Sequence, residues 1–235
     1  MIKRFYLISV TCFVLTWASV FVAPVLALDV YAEGAYTDTD LQVYLYADIT
    51  PGDVPPLVSY GVKMTYSSNL TVTNAEKNEK IWYMGDGTTS GNKAYMNPDT
   101  SNAGEIIFIG GKLDTANPTA GVSGNRVLLG KAVFSRIDTT PVSITLELGR
   151  DGNYANFVGN DKTPLDGDVV FKCTLGERGD ANLDGSVTPA DMIAIKNAFY
   201  GGAPLIAPTI IADCNGDGSI TPADMICIKN KFYSK

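Results

Sequence analysis

Two stretches of the 235-residue sequence carry oxygen donors at matched spacing. Asp213-Cys-Asn-Gly-Asp-Gly-Ser-Ile-Thr-Pro-Ala-Asp224 sets Asp213, Asn215 and Asp217 at loop positions 1, 3 and 5. Gly218 stands at position 6, where a cation-binding loop turns sharply. Ser219 offers its backbone carbonyl at position 7, and Asp224 closes the loop at position 12. Asp180-Ala-Asn-Leu-Asp-Gly-Ser-Val-Thr-Pro-Ala-Asp191 repeats the pattern, with Asp180, Asn182, Asp184, Ser186 and Asp191 as its donors. Calcium is a hard ion that takes roughly 6–8 oxygens. Each loop is therefore read as a calcium site, and the pair as holding two ions. Two such loops in register argue against a chance pair of metal-free Asx-rich turns.

The elements that must hold these donors repeat as well. Each loop feeds a matching segment, Met192-Ile-Ala-Ile-Lys-Asn197 and Met225-Ile-Cys-Ile-Lys-Asn230, closed by Phe199-Tyr200 and Phe232-Tyr233. Thr188 and Thr221 fit helix N-caps, and Pro189 and Pro222 fall at N1, where a missing N–H costs nothing. Asp191 and Asp224 fall at N3, as in a capping box, and serve the loop too. An ordinary EF-hand closes with a bidentate Glu, whereas both loops here close with Asp. No clear amphipathic helix enters either loop; the first follows Leu175-Gly-Glu-Arg-Gly179 directly.

Loop, exiting helix, duplication and closing Asp together resemble a type I dockerin, over roughly Gly179 to Lys235. The resemblance implies a small all-α domain of two F-hand repeats (180–200 and 213–233) that binds two calcium ions and docks onto a cohesin domain. It places partner contacts at loop positions 10 and 11 and on the exiting helices: Pro189, Ala190 and Lys196, and Pro222, Ala223 and Lys229. The family often carries a hydroxyl residue at those loop positions. This chain has Pro-Ala in both, which leaves the identity of the partner open.

The formal charge is −7, and loss of Lys3 and Arg4 with a leader makes it two units more negative. An acidic chain without a basic run argues against a nucleic-acid partner. Histidine is absent, which removes Ser-His-Asp and Cys-His chemistry and the usual zinc sites. Lys3-Arg4, the apolar run Tyr6 to Ala23 and Val25-Leu26-Ala27 are read as a secretory signal peptide over residues 1–27, cleaved before Leu28. The run is long enough to span a bilayer, so an uncleaved anchor is the alternative. The expectation is a secreted or cell-surface protein, free of the membrane once the leader is removed.

Secretion permits disulfides. Cys214 and Cys227 have Ala181 and Ala194 as counterparts in the first repeat, so both alanines are replaced together. That hints at neighbouring cysteines and a Cys214–Cys227 disulfide, although connectivity is not fixed by sequence. Cys173 shares a strand face with Val169 and Phe171 and is read as a buried thiol.

Between Leu28 and Leu175 the period changes to two. Leu41, Val43, Leu45, Ala47 and Ile49 alternate with polar or tyrosine positions; so do Val58 to Tyr66 and Val142 to Leu148. Further strands are expected at 28–33, 70–73, 80–83, 105–109, 126–136 and 168–175. Turn clusters such as Thr50-Pro-Gly-Asp53 and Asp138-Thr-Thr-Pro141 separate them, and 85–103 reads as a long polar loop. The expected fold class is mainly β: an antiparallel sandwich over 28–175, then the small helical domain over 176–235. The linker, Gly176-Glu-Arg-Gly179, is so short that the domains are expected to touch.

Tyr60-Gly-Val-Lys-Met-Thr-Tyr-Ser-Ser-Asn-Leu-Thr-Val72, with Gly104-Glu-Ile-Ile-Phe108 and Leu129-Gly-Lys-Ala-Val-Phe134, resembles a cohesin. That family's fold is a jelly-roll β-sandwich close to some carbohydrate-binding modules. The first reading is therefore a secreted, non-catalytic adaptor whose dockerin engages a cohesin, of a scaffold or of another copy of itself, in a polysaccharide-degrading or surface complex. A second makes the sandwich a polysaccharide-binding module, using aromatics such as Trp82, Tyr83, Tyr95, Tyr154, Phe157, Tyr44 and Tyr46. A third, a small glycan-active enzyme, lacks a recognisable carboxylate pair: Glu33, Glu76, Glu79, Glu105 and Glu147 form no motif.

Overall fold

The computed structural model describes residues 27–83, 98–112, 120–149 and 155–234. The expected leader, most of the long polar loop and the candidates Tyr95 and Tyr154 lie outside these residues.

Nine strands form two facing sheets. β1 (Leu28–Tyr36), β2 (Asp40–Ile49), β4 (Leu70–Lys77), β6 (Gly124–Arg136) and β9 (Val169–Glu177) make a five-stranded sheet in the order β4-β6-β2-β1-β9. β3 (Leu57–Tyr66), β5 (Glu105–Gly111) and β7 (Ile144–Leu148) make the second sheet, in the order β5-β3-β7, and short β8 (Val158–Gly159) pairs with β3. The alternation in β2 is realised residue by residue: Leu41, Val43, Leu45, Ala47 and Ile49 are all buried, while Gln42, Tyr44, Tyr46 and Asp48 face outward, half-buried. Val62, Met64, Ile106 and Phe108 meet them from the other sheet.

Among the described residues, all pairings between these strands are antiparallel except one. β9 runs parallel to β1, from Leu28 opposite Val169 to Tyr36 opposite Glu177. The expected strand at 80–83 is a turn instead. Trp82 N donates to Asn78 O at 2.9 Å, which folds the chain back and inserts Trp82 into the core. There its ring meets Tyr60 edge-on with centroids 5.0 Å apart. Its Nε1 donates to Leu128 O at 3.2 Å and Tyr60 Oη donates to Leu129 O at 2.8 Å. Both polar tips are thus satisfied inside the core, as burial requires.

Cys173 also departs from expectation. It lies on the inward face beside Ala32, yet is exposed; β9 is an edge strand with β1 as its paired neighbour in the large sheet. Desolvation by its neighbours still pushes its thiol up to about 11.

Beyond β9 come α1 (Pro189–Phe199), the short α2 (Thr209–Ala212) and α3 (Pro222–Tyr233). They share a core of Ala181, Val187, Ile195, Ile211 and Ile228, and that core includes Ala35 of β1. Ala35 is on the outer face of the large sheet, opposite in parity to Leu28, Val30 and Ala32. The helical tail is therefore seated on the end of the sandwich. Gly176 permits the approach: a side chain there would place its Cβ 2.8 Å from Ile211 Cγ2.

Trp82→Ala is expected to cost about 3–5 kcal/mol in urea denaturation, from lost burial plus the cavity left; a loss below about 1 kcal/mol would contradict its place in the core.

Candidate calcium loops and docking face

The first loop begins where β9 ends. Asp180 Oδ1 accepts from Asp184 N at 3.1 Å and Oδ2 from Gly185 N at 3.0 Å. In the second loop, Asp213 accepts from Gly216 N at 2.8 Å, Asp217 N at 3.2 Å and Gly218 N at 2.7 Å. Gly185 and Gly218, at position 6, both take φ +89°, a left-handed turn that suits glycine. Position 4 is left-handed too. Gly216 adopts it freely, whereas Leu183 holds φ +57° and packs its side chain on the tail's core in return.

The closing aspartates act as the capping box requires. Asp191 Oδ2 accepts from Thr188 N at 2.8 Å and Oδ1 from Asn182 N at 3.1 Å; Asp224 does the same with Thr221 N at 2.8 Å and Asn215 N at 3.2 Å. One carboxylate thus ties helix start to loop start in each repeat, through a full capping box with Thr188 or Thr221.

Asp191 and Asp224 are 0% exposed, Asp180 2% and Asp213 5%. Among the described residues no ion pair reaches any of the four. Burial, then the charges of Asp191 and Asp184, push the Asp180 carboxyl above its ordinary range. Buried carboxylates without a cation are costly, so this donor set fits a hard cation. Among the described residues no three acidic or thiol groups gather closely enough to form a metal cage by themselves. Asn182, Asn215 and backbone carbonyls are needed to complete either set. Asn182 Nδ2 lies 2.8 Å from Asp184 Oδ2 and Asn215 Nδ2 lies 2.8 Å from Asp217 Oδ2, which keeps positions 3 and 5 of each loop together. Ser186 and Ser219 are exposed, their N–H groups donating to Asp184 and Asp217.

The structure joins Cys214 and Cys227 in a disulfide, Cα atoms 5.8 Å apart, which staples the second loop to α3. Closing a loop of this size constrains the unfolded chain by about 3 kcal/mol. The first repeat has no counterpart and relies on Ala181, buried at the equivalent place.

Of the residues expected to meet a partner, Pro189, Ala190, Lys196, Ala223 and Lys229 are exposed and Pro222 is half-buried. Exposed apolar residues of the same helices stand beside them, outside that expected set. Ile193 and Ile226 are 59% and 61% exposed, and Tyr200 and Tyr233 are 69% and 72% exposed. Ala190, Ile193, Asn197 and Tyr200 follow one another at spacings of three, four and three, which is one side of a helix; Ala223, Ile226, Asn230 and Tyr233 repeat it. The signal available in the sequence was an apolar residue two places after each closing Asp, off the buried face that Ile195 and Ile228 define.

Residues 178–233 match the family model described as the dockerin type I domain. Type I dockerin domains bind calcium. No curated protein matches the chain. Among solved structures, the chain is similar to the seventh ScaB type I cohesin from Pseudobacteroides cellulosolvens (17% identity, 68% of this chain and 97% of that one, TM-score 0.40). It is also similar to the CaCohA2 structure from Clostridium acetobutylicum (14% identity, 66% and 93%, TM-score 0.42). A third is a chain of the Coh-OlpA–Doc918 complex from Clostridium thermocellum (11% identity, 63% and 99%, TM-score 0.45).

Two of the sugar-binding candidates fall away: Trp82 and Phe157 are wholly buried in the sandwich core. Tyr44 and Tyr46 stay on the outer face, their rings near-parallel with centroids 6.3 Å apart. Of the acids, Glu33 is buried and held bidentately by Arg126 at 2.7 and 2.5 Å, while Glu147 pairs with Lys63 at 2.8 Å on the surface.

Thiol titration of residues 28–235 in denaturant without reductant is expected to find one group, Cys173, and after reduction three. Three before reduction would dissolve the Cys214–Cys227 staple.

Proposed function

We propose that this chain is a secreted assembly protein whose dockerin-type tail, loaded with two calcium ions, docks onto a cohesin domain of another molecule in a polysaccharide-degrading or cell-surface complex. One observation carries the reading. Two matched loops, each closed by a buried carboxylate that no side-chain cation among the described residues reaches, each start a helix with an exposed Ile–Tyr stripe. Asp180, Asn182, Asp184, Asp191 and the carbonyl of Ser186 would hold one ion; Asp213, Asn215, Asp217, Asp224 and the carbonyl of Ser219 the other. Bound calcium offsets the charge these carboxylates concentrate, which fixes the loops and the helix starts.

The docking is in trans. Arg178 N donates to Tyr36 O at 2.8 Å, Gly179 N to Ile211 O at 2.6 Å, and Lys231 Nζ to Arg178 O at 2.6 Å. The first bond, with Ala35 in the tail's core, fastens the tail to the end of its own sandwich, and the other two brace the junction residues against α2 and α3. The stripes of α1 and α3 would have to leave that seat to reach a face of the same molecule. A second copy or a separate scaffold is the partner this geometry favours, and a head-to-tail contact between copies would build rings or filaments.

Calorimetry of residues 28–235 against a panel of cohesins, in calcium, tests the reading. One member is expected to bind, and Ile193→Asp with Ile226→Asp to weaken it by at least about thirtyfold, the loss of one central apolar anchor. Both repeats are changed together because the stripes match. Unaltered affinity in that double variant would move the contact elsewhere, and no binding by any member would remove the docking role.

A further inference from the structure

A cavity of about 260 Å³ lies in the angle between the sandwich and the second loop. Its sandwich wall is Gln42, Tyr44 and Tyr46, the outward set of β2, with Arg126 beside them. The opposite wall is the second loop, from Asp213 to Gly218. Arg178 lines the cavity from the junction of the two domains.

The charges in this cavity are unevenly committed. Arg126 is spent: its guanidinium grips Glu33 and lies 4.4 Å from the centroid of the Tyr46 ring, and its backbone holds a left-handed φ of +57°. Asp213 is turned toward its own loop, where its oxygens accept from three N–H groups, and its charge is the one the proposed calcium ion would offset. Arg178 is not so committed. Its Nε is buried without a hydrogen-bond partner, and among the described residues its guanidinium joins no ion pair. Its backbone, by contrast, is pinned on both sides, to Tyr36 O and by Lys231 Nζ. In a chain with 25 acidic residues against 18 basic ones, a guanidinium that joins no ion pair among the described residues is an open position. Leaving such a donor unpaired carries the cost of its desolvation.

We propose that this cavity binds a single carboxylate-bearing sugar ring, a hexuronate, with Arg178 holding the carboxylate. A guanidinium matches a carboxylate by two parallel N–H donors. Tyr44 offers flat apolar surface for a ring's C–H face, Tyr46 being covered by Arg126, and the Gln42 amide and the Tyr44 hydroxyl offer partners for its hydroxyls. The volume lies below the roughly 300–1,000 Å³ of sites for drug-sized ligands, which suits one ring rather than a chain. Gly216 matters as an absence: a Cβ there would stand 3.1 Å from Arg178 Nη1. Because the loop is one wall, the site is complete only when the loop is folded. Calcium and the sugar then favour each other's binding, with equal and reciprocal effect. The proposal is independent of which cohesin the helices meet.

The test is calorimetric titration of residues 28–235 with glucuronate, glucose and acetate in calcium. Glucuronate is expected to bind, with glucose and acetate each at least about tenfold weaker, the equivalent of one charged hydrogen bond. Arg178→Gln is expected to lose at least about tenfold with an unchanged circular dichroism spectrum, and Tyr44→Ala, away from the domain junction, to weaken the sugar without unfolding the tail. Chelation should weaken glucuronate as well. The proposal is overturned if glucuronate does not bind, if acetate binds as well as glucuronate, or if glucuronate affinity survives Arg178→Gln, Tyr44→Ala or chelation unchanged.

Discussion

Asp180, Asp191, Asp213 and Asp224 are buried in two loops with backbone N–H groups and hydroxyls around them and, among the described residues, no side-chain cation. The rest of the tail depends on how that charge is carried. Backbone donors orient the carboxylates but leave their charge uncompensated, and like charges crowd each loop. The same aspartates start the helices: Asp191 and Asp224 bond to Thr188 N and Thr221 N, so a change in the loop is felt at once in the helix. The apolar stripes lie on those helices. In the proposed reading, ion, helix start and docking face form one mechanical unit, present once in each repeat.

The unit is not a loose appendage. β9 passes from the large sheet into the first loop with only Arg178 and Gly179 between the strand's last residue and Asp180. Its parallel pairing with β1 delivers the chain to the edge where Ala35 and Gly176 leave room for Ile211. Small residues on the strands and a branched residue on the short α2 make a close seat, and backbone hydrogen bonds from Arg178 and Gly179 close it. A rigid seat directs the stripes of α1 and α3 outward, and it creates the angle in which the Arg178 guanidinium joins no ion pair among the described residues.

The loops could be read directly from the sequence because metal chemistry limits residue types at fixed positions, and because glycine at position 6 answers a backbone requirement that the φ of +89° makes visible. The strands of the sandwich were legible where one face is buried and the other wet, as in β2. Where that asymmetry fails, the reading failed with it. Trp82 and Phe157 fit an exposed sugar-binding face by residue type, which does not say which side of a sheet or turn an aromatic takes. Lys80 to Tyr83 looked like a strand because it ends in apolar residues, but the bonds back to Asn78 O make it a turn. Cys173 had the right parity and the wrong burial, which depends on how far the opposite sheet reaches. The domain seat was least legible of all, being made by Ala35, Gly176 and Ile211, residues whose types announce nothing until the two domains are placed together.

Calcium titration of metal-free residues 28–235, followed by calorimetry and circular dichroism together, tests the central claim most directly. The account predicts two binding events and a gain of helix that chelator reverses. A chain that takes up no calcium, or whose helix content is the same with and without it, would contradict the claim that the ion orders the docking face.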